Sequence, residues 1–155
     1  MKLVPDVVLD TQVVLDWLAF GDAGCAALAA DLERGALRWI ATRPMLAELD
    51  HVLARGVAAA WRPDRAAIAR AFERHGMLVE APAAVALPLR CTDPDDQMFI
   101  DLAVGRGVPW LVTRDRALLA LRRRAAARGV GVLRPADWAH RAGGSDVQPR
   151  PRPSG

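Results

Sequence analysis

Four acidic residues set far apart in this 155-residue chain, Asp10, Glu48, Asp96 and Asp115, occupy positions where carboxylates could act together. Asp10 directly follows the apolar run Val7-Val8-Leu9, and Asp115 follows the apolar run that begins at Trp110. Either residue alone also reads as a cap for the helix after it. Asp96 heads a stripe with Phe99, Ile100 and Ala103, spaced as one buried helix face, so its charge needs a cap, a partner or a cation. Glu48 borders the apolar face formed by Met45, Leu46, Leu49, Val52 and Leu53, in mid-helix, where capping is not an explanation and snorkelling to solvent is the alternative. If the fold gathers these groups they repel one another, by about 4 kcal/mol for a pair 4 Å apart at an effective dielectric near 20. A hard divalent cation, magnesium or manganese, suits such an all-oxygen set. Phosphodiester hydrolysis is chemistry that such a cation supports.

The elements that must position these acids alternate short apolar runs with longer amphipathic stretches, the pattern of parallel strands joined by helical crossovers. Strands are expected at Val7–Leu9, Leu37–Ala41, Met77–Glu80, Trp110–Thr113 and Val130–Leu133. Helices are expected at Thr11–Phe20, Ala23–Arg34, Pro44–Arg55, Asp64–His75, Asp93–Val104, Arg116–Arg128 and Ala136–Arg141. The run Asp93-Pro94-Asp95-Asp96 reads as a helix start, with an Asp cap and proline at the first position. In sheets of this kind ligands bind beyond the carboxyl ends of the strands, where Asp10 and Asp115 fall. The expected fold is α/β, with parallel strands joined by helical crossovers, over residues 1–142. Residues 143–155 lack apolar content and read as a flexible C-terminal tail.

Composition narrows the function classes. Hydrophobic residues make up 52% and charged residues 25%, as in a soluble globular protein. No apolar run approaches the roughly 20 residues that span a bilayer, and the N-terminus carries charges where a signal peptide is apolar, so a cytoplasmic protein with no membrane role is expected. Cys25 and Cys91 have no His or Cys at ligand spacing and read as small core residues. The net charge of +3 neither requires nor excludes nucleic acid. Lys2 is the only lysine, and His51, His75 and His140 lack acidic partners at useful spacing, which argues against a histidine general base. Neither GxGxxG nor GxxxxGK[ST] occurs, removing the usual dinucleotide and P-loop readings. The tryptophans read mostly as core; Trp61, between Ala60 and Arg62, is the one whose exposure bears on base stacking.

Four segments, VVLDTQVVLD, MLAELDHVLARG, CTDPDDQMFIDLA and LVTRDRALLAL, resemble in order and spacing the PIN-domain ribonucleases, and within them the VapC-type toxin branch. The resemblance runs from Val7 to about Trp138. It implies a three-layer α-β-α sandwich around a central, mainly parallel sheet, and a magnesium- or manganese-dependent endoribonuclease whose site acids are Asp10, Glu48, Asp96 and Asp115. Asp10, Asp96 and Asp115 would hold the cation, and Glu48 would position or deprotonate the attacking water. Thr113 matches a hydroxyl residue that orients the carboxylates, and Gln12 stands where relatives usually carry Asn. Arg114 replaces a residue that is commonly small. RNA approaching an acidic pocket needs basic residues around it, and Arg106, Arg114 and Arg116 are the local candidates. The run Arg122 to Arg124 reads first as a solvated helix face.

Two alternatives stand beside this reading. A receiver-like or haloacid-dehalogenase-like phosphoryl-transfer domain would need a later lysine, and the latter also a second aspartate at Gln12; neither is present. A non-catalytic PIN-like module that binds RNA or protein is the other. The toxin-like resemblance further implies a cognate antitoxin of a type II toxin-antitoxin pair, and a homodimer.

Overall fold

The computed structural model describes residues 4–55, 65–83 and 87–143. Five strands, β1 (Asp6–Leu9), β2 (Arg38–Ala41), β3 (Gly76–Leu78), β4 (Trp110–Val112) and β5 (Gly131–Leu133), form one sheet in the order β3-β2-β1-β4-β5. Every pairing is parallel, with Val7 opposite Trp39 on one side and Trp110 on the other. The sheet is therefore wholly parallel, as the alternation of short apolar runs and amphipathic stretches requires.

The pleat sends alternate residues of the strands to opposite faces. Val8, Ile40 and Leu111 pack on one face with α5 (Gln97–Arg106), α6 (Arg116–Leu119) and α7 (Arg122–Ala126), through Phe99, Ile100, Ala103, Leu118, Leu121 and Ala125. Val7, Leu9, Trp39 and Val112 pack on the other with α1 (Thr11–Leu18), α2 (Ala26–Glu33), α3 (Arg43–Ala54) and α4 (Arg65–His75). These two cores make the three-layer sandwich. Trp17, Trp39 and Trp138 are buried, as are Cys25 and Cys91, both free thiols. Trp138 donates its indole N–H to Asp31 at 2.8 Å, which fastens the C-terminal 3₁₀ segment Pro135–Gly143 to α2.

Several boundaries differ from expectation for local reasons. The helix expected from Arg116 to Arg128 divides, because the Leu121 N–H bonds the Leu118 carbonyl three residues back at 2.9 Å and tightens the chain there. That turn lets Leu118, Leu121 and Ala125 all reach the core. The helix expected from Asp93 opens as a 3₁₀ turn, Pro94–Asp96, and becomes α-helical at Gln97. It runs past Val104 to Arg106 and ends on Gly107 in the left-handed conformation, φ 65°. The segment expected to start at Ala23 likewise begins as a 3₁₀ turn, Ala23–Cys25, before α2. The third strand begins one residue earlier than expected and ends two earlier, at Gly76–Leu78 rather than Met77–Glu80. Trp61, Asp64 and the tail beyond Gly143 lie outside the described residues. No single helix among the described residues is long and apolar enough to cross a membrane.

Candidate active site

The strand order places a switch point between β1 and β4. Connections leave β1 toward β2 and β3 on one side, while β4 and β5 lie on the other, and a crevice opens where the two directions part. The Asp10 N–H bonds the Val112 carbonyl at 3.2 Å, extending the β1–β4 pairing by one residue and leaving Asp10 at the carboxyl edge. Thr113 prolongs β4 in the same way through a 2.9 Å bond to the Leu133 carbonyl. Asp115 follows two residues later and caps α6, its carboxylate accepting the Ala117 N–H at 2.7 Å and the Leu118 N–H at 3.3 Å. The capping and crevice readings of these two aspartates thus hold together: the cap fixes the carboxylate, and the strand end aims it.

From the flanking layers come the other two acids. The α5 helix packs on β1 and β4, which brings Asp96 to the same edge, and α3 packs against α1, which brings Glu48. Asp10, Glu48, Asp96 and Asp115 all line one cavity of about 390 Å³, together with Thr11, Gln12 and Arg114. Glu48 also borders a neighbouring depression lined by Pro44, His51, Pro94, Asp95 and Met98.

Asp10 is only 4% exposed. One carboxylate oxygen accepts the Val13 N–H at 3.0 Å and the other accepts the Thr113 hydroxyl. Thr113, fully buried, also accepts the Asp115 N–H at 2.9 Å, so a single hydroxyl ties the two strand-end aspartates together. Burial pushes the Asp10 carboxyl up to about 6; the Thr113 and Val13 hydrogen bonds oppose that rise, and the charges of Asp115 and Asp16 add to it. Asp96 is pushed up to about 7, first by burial, then by a hydrogen bond to the Asp115 carboxyl that favours the protonated form, and by the charges of Asp115, Asp93 and Asp10.

Carboxylate oxygens of Asp93, Asp96 and Asp115 lie within 4.8 Å of one another. Asp96 Oδ2 and Thr11 Oγ1, both at the cavity, are buried without a hydrogen-bond partner. Orphaned oxygen atoms, crowded carboxyls and an all-oxygen donor set fit a hard divalent cation.

Two acids carry more here than sequence reading assigned to them. Asp93 reads as a cap, and it does accept the Asp95 N–H at 3.0 Å, but it also joins the tight acidic group. Its signal was its place in the same four-residue acidic run as Asp96. Asp16, in mid-α1, is buried and lies 3.3 Å from Arg114. Of the three arginines, Arg114 lines the cavity, and Arg116 is exposed directly after Asp115. Arg106 is exposed at the far end of α5 from Asp96, roughly 15 Å along the axis at 1.5 Å per residue, and does not line the cavity.

Against known proteins, the PIN domain family profile matches residues 6–117. The chain belongs to the PIN-domain family. The matched span contains all four acids and strands β1 to β4, and ends before β5. A chain of VapBC2 from Rickettsia felis, solved bound to a DNA fragment from their promoter, shares the fold with a TM-score of 0.55 at 10% identity. The similarity covers 83% of this chain and 98% of that one. No curated protein matches the sequence. The PIN-domain chain therefore has the fold of its family with acidic residues at the fold's switch point.

Proposed function

We propose that this PIN-domain protein is a metal-dependent endoribonuclease and the toxin of a type II toxin-antitoxin pair. The observation that carries the reading is the meeting of Asp10, Glu48, Asp96 and Asp115 in one cavity at the β1–β4 switch point. Asp10, Asp96 and Asp115 would hold Mg2+ or Mn2+, with Asp93 close enough to share the load. When bound, such a cation polarises a phosphoryl oxygen and makes water a better nucleophile. Thr113 keeps Asp10 and Asp115 in register, and Gln12 acts through Asp16. Glu48 accepts the proton of the attacking water. The water oxygen bonds to phosphorus as the bond to O3′ breaks, and the departing O3′ takes a proton from solvent water, which leaves a 5′-phosphate and a 3′-hydroxyl. Arg114 and Arg116, on either side of Asp115 in the chain, meet the RNA backbone, while Arg106 adds charge to a remoter surface.

A cognate antitoxin is the natural partner of such an enzyme, and the complexed state of the Rickettsia felis relative supports one here. We also propose a homodimer and a cytoplasmic location. Cleavage of single-stranded RNA with Mn2+ or Mg2+ tests the activity. Chelation should abolish it, and Asp10→Asn or Asp115→Asn should lower kcat by roughly 100-fold or more. Undiminished cleavage by both variants, or none by the unaltered protein with either metal, would remove the nuclease reading.

A further inference from the structure

Arg114 is placed by a set of contacts that the acidic site does not itself require. Its Nη2 donates to Asp22 Oδ2 at 2.8 Å, and its Nε lies 3.3 Å from Asp16 Oδ2. Asp16 is 5% exposed, and its other oxygen accepts the Gln12 side-chain N–H at 2.9 Å. Asp22 Oδ2 also accepts the Gly24 N–H at 3.0 Å. A Cβ at position 24 would stand 2.8 Å from Asp22 Oδ2 and 3.3 Å from Arg114 Nη2, so a larger residue there would displace the ends of both side chains. Two segments, α1 and the turn after it, thus converge on the guanidinium that the loop after β4 supplies.

A buried carboxylate is costly without a partner, and Asp16 Oδ2 accepts no hydrogen bond, so its ion pair with the Arg114 guanidinium 3.3 Å away is the compensation it has, which favours Arg114 staying beside it. A guanidinium carries five N–H groups in a rigid fork, of which Asp16 and Asp22 face Nε and Nη2, so neither engages Nη1. The trio retains one negative charge, so it does not neutralise the neighbouring acids. What it supplies is direction, a planar donor at a fixed place on the wall of the acidic cavity, and such a fork matches phosphate oxygens.

We infer that Asp16, steadied by Gln12 and helped by Asp22, is a positioning residue that holds the Arg114 guanidinium at the acidic cavity as a donor to an RNA phosphate. The inference rests on the nuclease reading for the identity of the phosphate. It also gives Gln12 a task, orienting Asp16.

A double-mutant cycle separates this from an ordinary structural ion pair. Arg114→Gln should lower kcat/KM on single-stranded RNA by roughly 10- to 100-fold, and Asp16→Asn by roughly 5- to 10-fold. With Arg114 already Gln, Asp16→Asn should cost nothing further. Equal losses from Asp16→Asn with and without Arg114 would overturn the inference, as would full activity in Arg114→Gln or Arg114→Lys, since lysine keeps the charge without the fork. Asp22→Asn, at the more exposed end of the clamp, provides the same cycle if Asp16→Asn fails to fold. The cycle is repeated on the Kd of a labelled single-stranded RNA, with every protein carrying Glu48→Gln. Coupled losses in Kd from a protein that never cuts RNA would defeat the nuclease reading and uphold the clamp. Additive losses in a protein that cuts would defeat the clamp alone, and no RNA binding at all would defeat both.

Discussion

Thr113 makes the smallest structural statement with the largest reach. Its hydroxyl donates to Asp10 and accepts from the Asp115 backbone, inside a site with no solvent at that oxygen. Thr113→Val keeps the shape and removes both bonds. It should destabilise the fold by about 1–3 kcal/mol, read by urea unfolding, because the Asp115 N–H loses its acceptor. The bond from Thr113 is also the larger of the two that oppose the upward push on Asp10. Without it Asp10 holds its proton to higher pH, so the acid limb of the pH–rate profile should move upward, not downward. An unshifted limb would mean that Asp10 does not have to lose its proton for turnover. The T-x-D spacing was visible in the chain and matched a pattern of relatives, whereas the identity of the carboxylate that Thr113 serves was not. That partner lies 103 residues away in sequence, and no local spacing encodes it.

Elements decide which acids meet. The Asp10 and Asp115 sites follow from strand ends, and Asp96 follows from helix phase, so all three were legible from apolar runs and their spacing. Asp93 was not separable from a simple cap, because the 3₁₀ turn Pro94–Asp96 that swings it toward Asp115 depends on a backbone bond from the Asp96 N–H to the Asp93 carbonyl at 3.0 Å. The division of α6 from α7 was hidden for a similar reason: alanine, leucine and arginine all favour helix, and only the need to bury Leu118 and Leu121 together tightens the turn. Sheet edges are set as closely. At Gly76 of β3 an added Cβ would stand 2.4 Å from the Phe72 ring and 2.9 Å from the Trp39 carbonyl, and Phe72 already packs edge-on against Trp39 with ring centroids 4.8 Å apart. Gly76→Ala should therefore cost about 1–3 kcal/mol through overpacking, measurable by tryptophan fluorescence during denaturation. A neutral result would show that α4 shifts freely on the sheet.

For the whole molecule, the acidic site is a weak point that the proposed cation would repair. The ordinary carboxyl value of 3.8 applies to the unfolded chain, whereas folding raises Asp10 to about 6 and Asp96 to about 7. Between those limits the folded protein binds more protons than the unfolded one, so the metal-free protein should lose stability as pH rises from about 4 to about 7. For Asp10 alone, the raised value corresponds to roughly 3 kcal/mol. A divalent cation prefers the ionised carboxylates, so Mn2+ should raise Tm, and by more near pH 7 than near pH 5. A Tm increment that is flat across that range, followed by differential scanning calorimetry, would place the bound ion elsewhere. Asp96→Asn should flatten the metal-free pH profile and shrink the Mn2+ increment together.

By itself the sequence determined the α/β class, the parallel strands and the four candidate acids, because hydrophobic periodicity and strand-end position are local properties that a reader can follow along the chain. Tertiary structure alone decided that Asp93 crowds Asp96, that Thr113 bridges Asp10 and Asp115, and that Asp16 and Asp22 close on Arg114. Those are distances between segments remote in sequence. They arise only when the sheet order β3-β2-β1-β4-β5 sets β1 beside β4 and the packing of α1 and α5 carries their side chains to that shared edge.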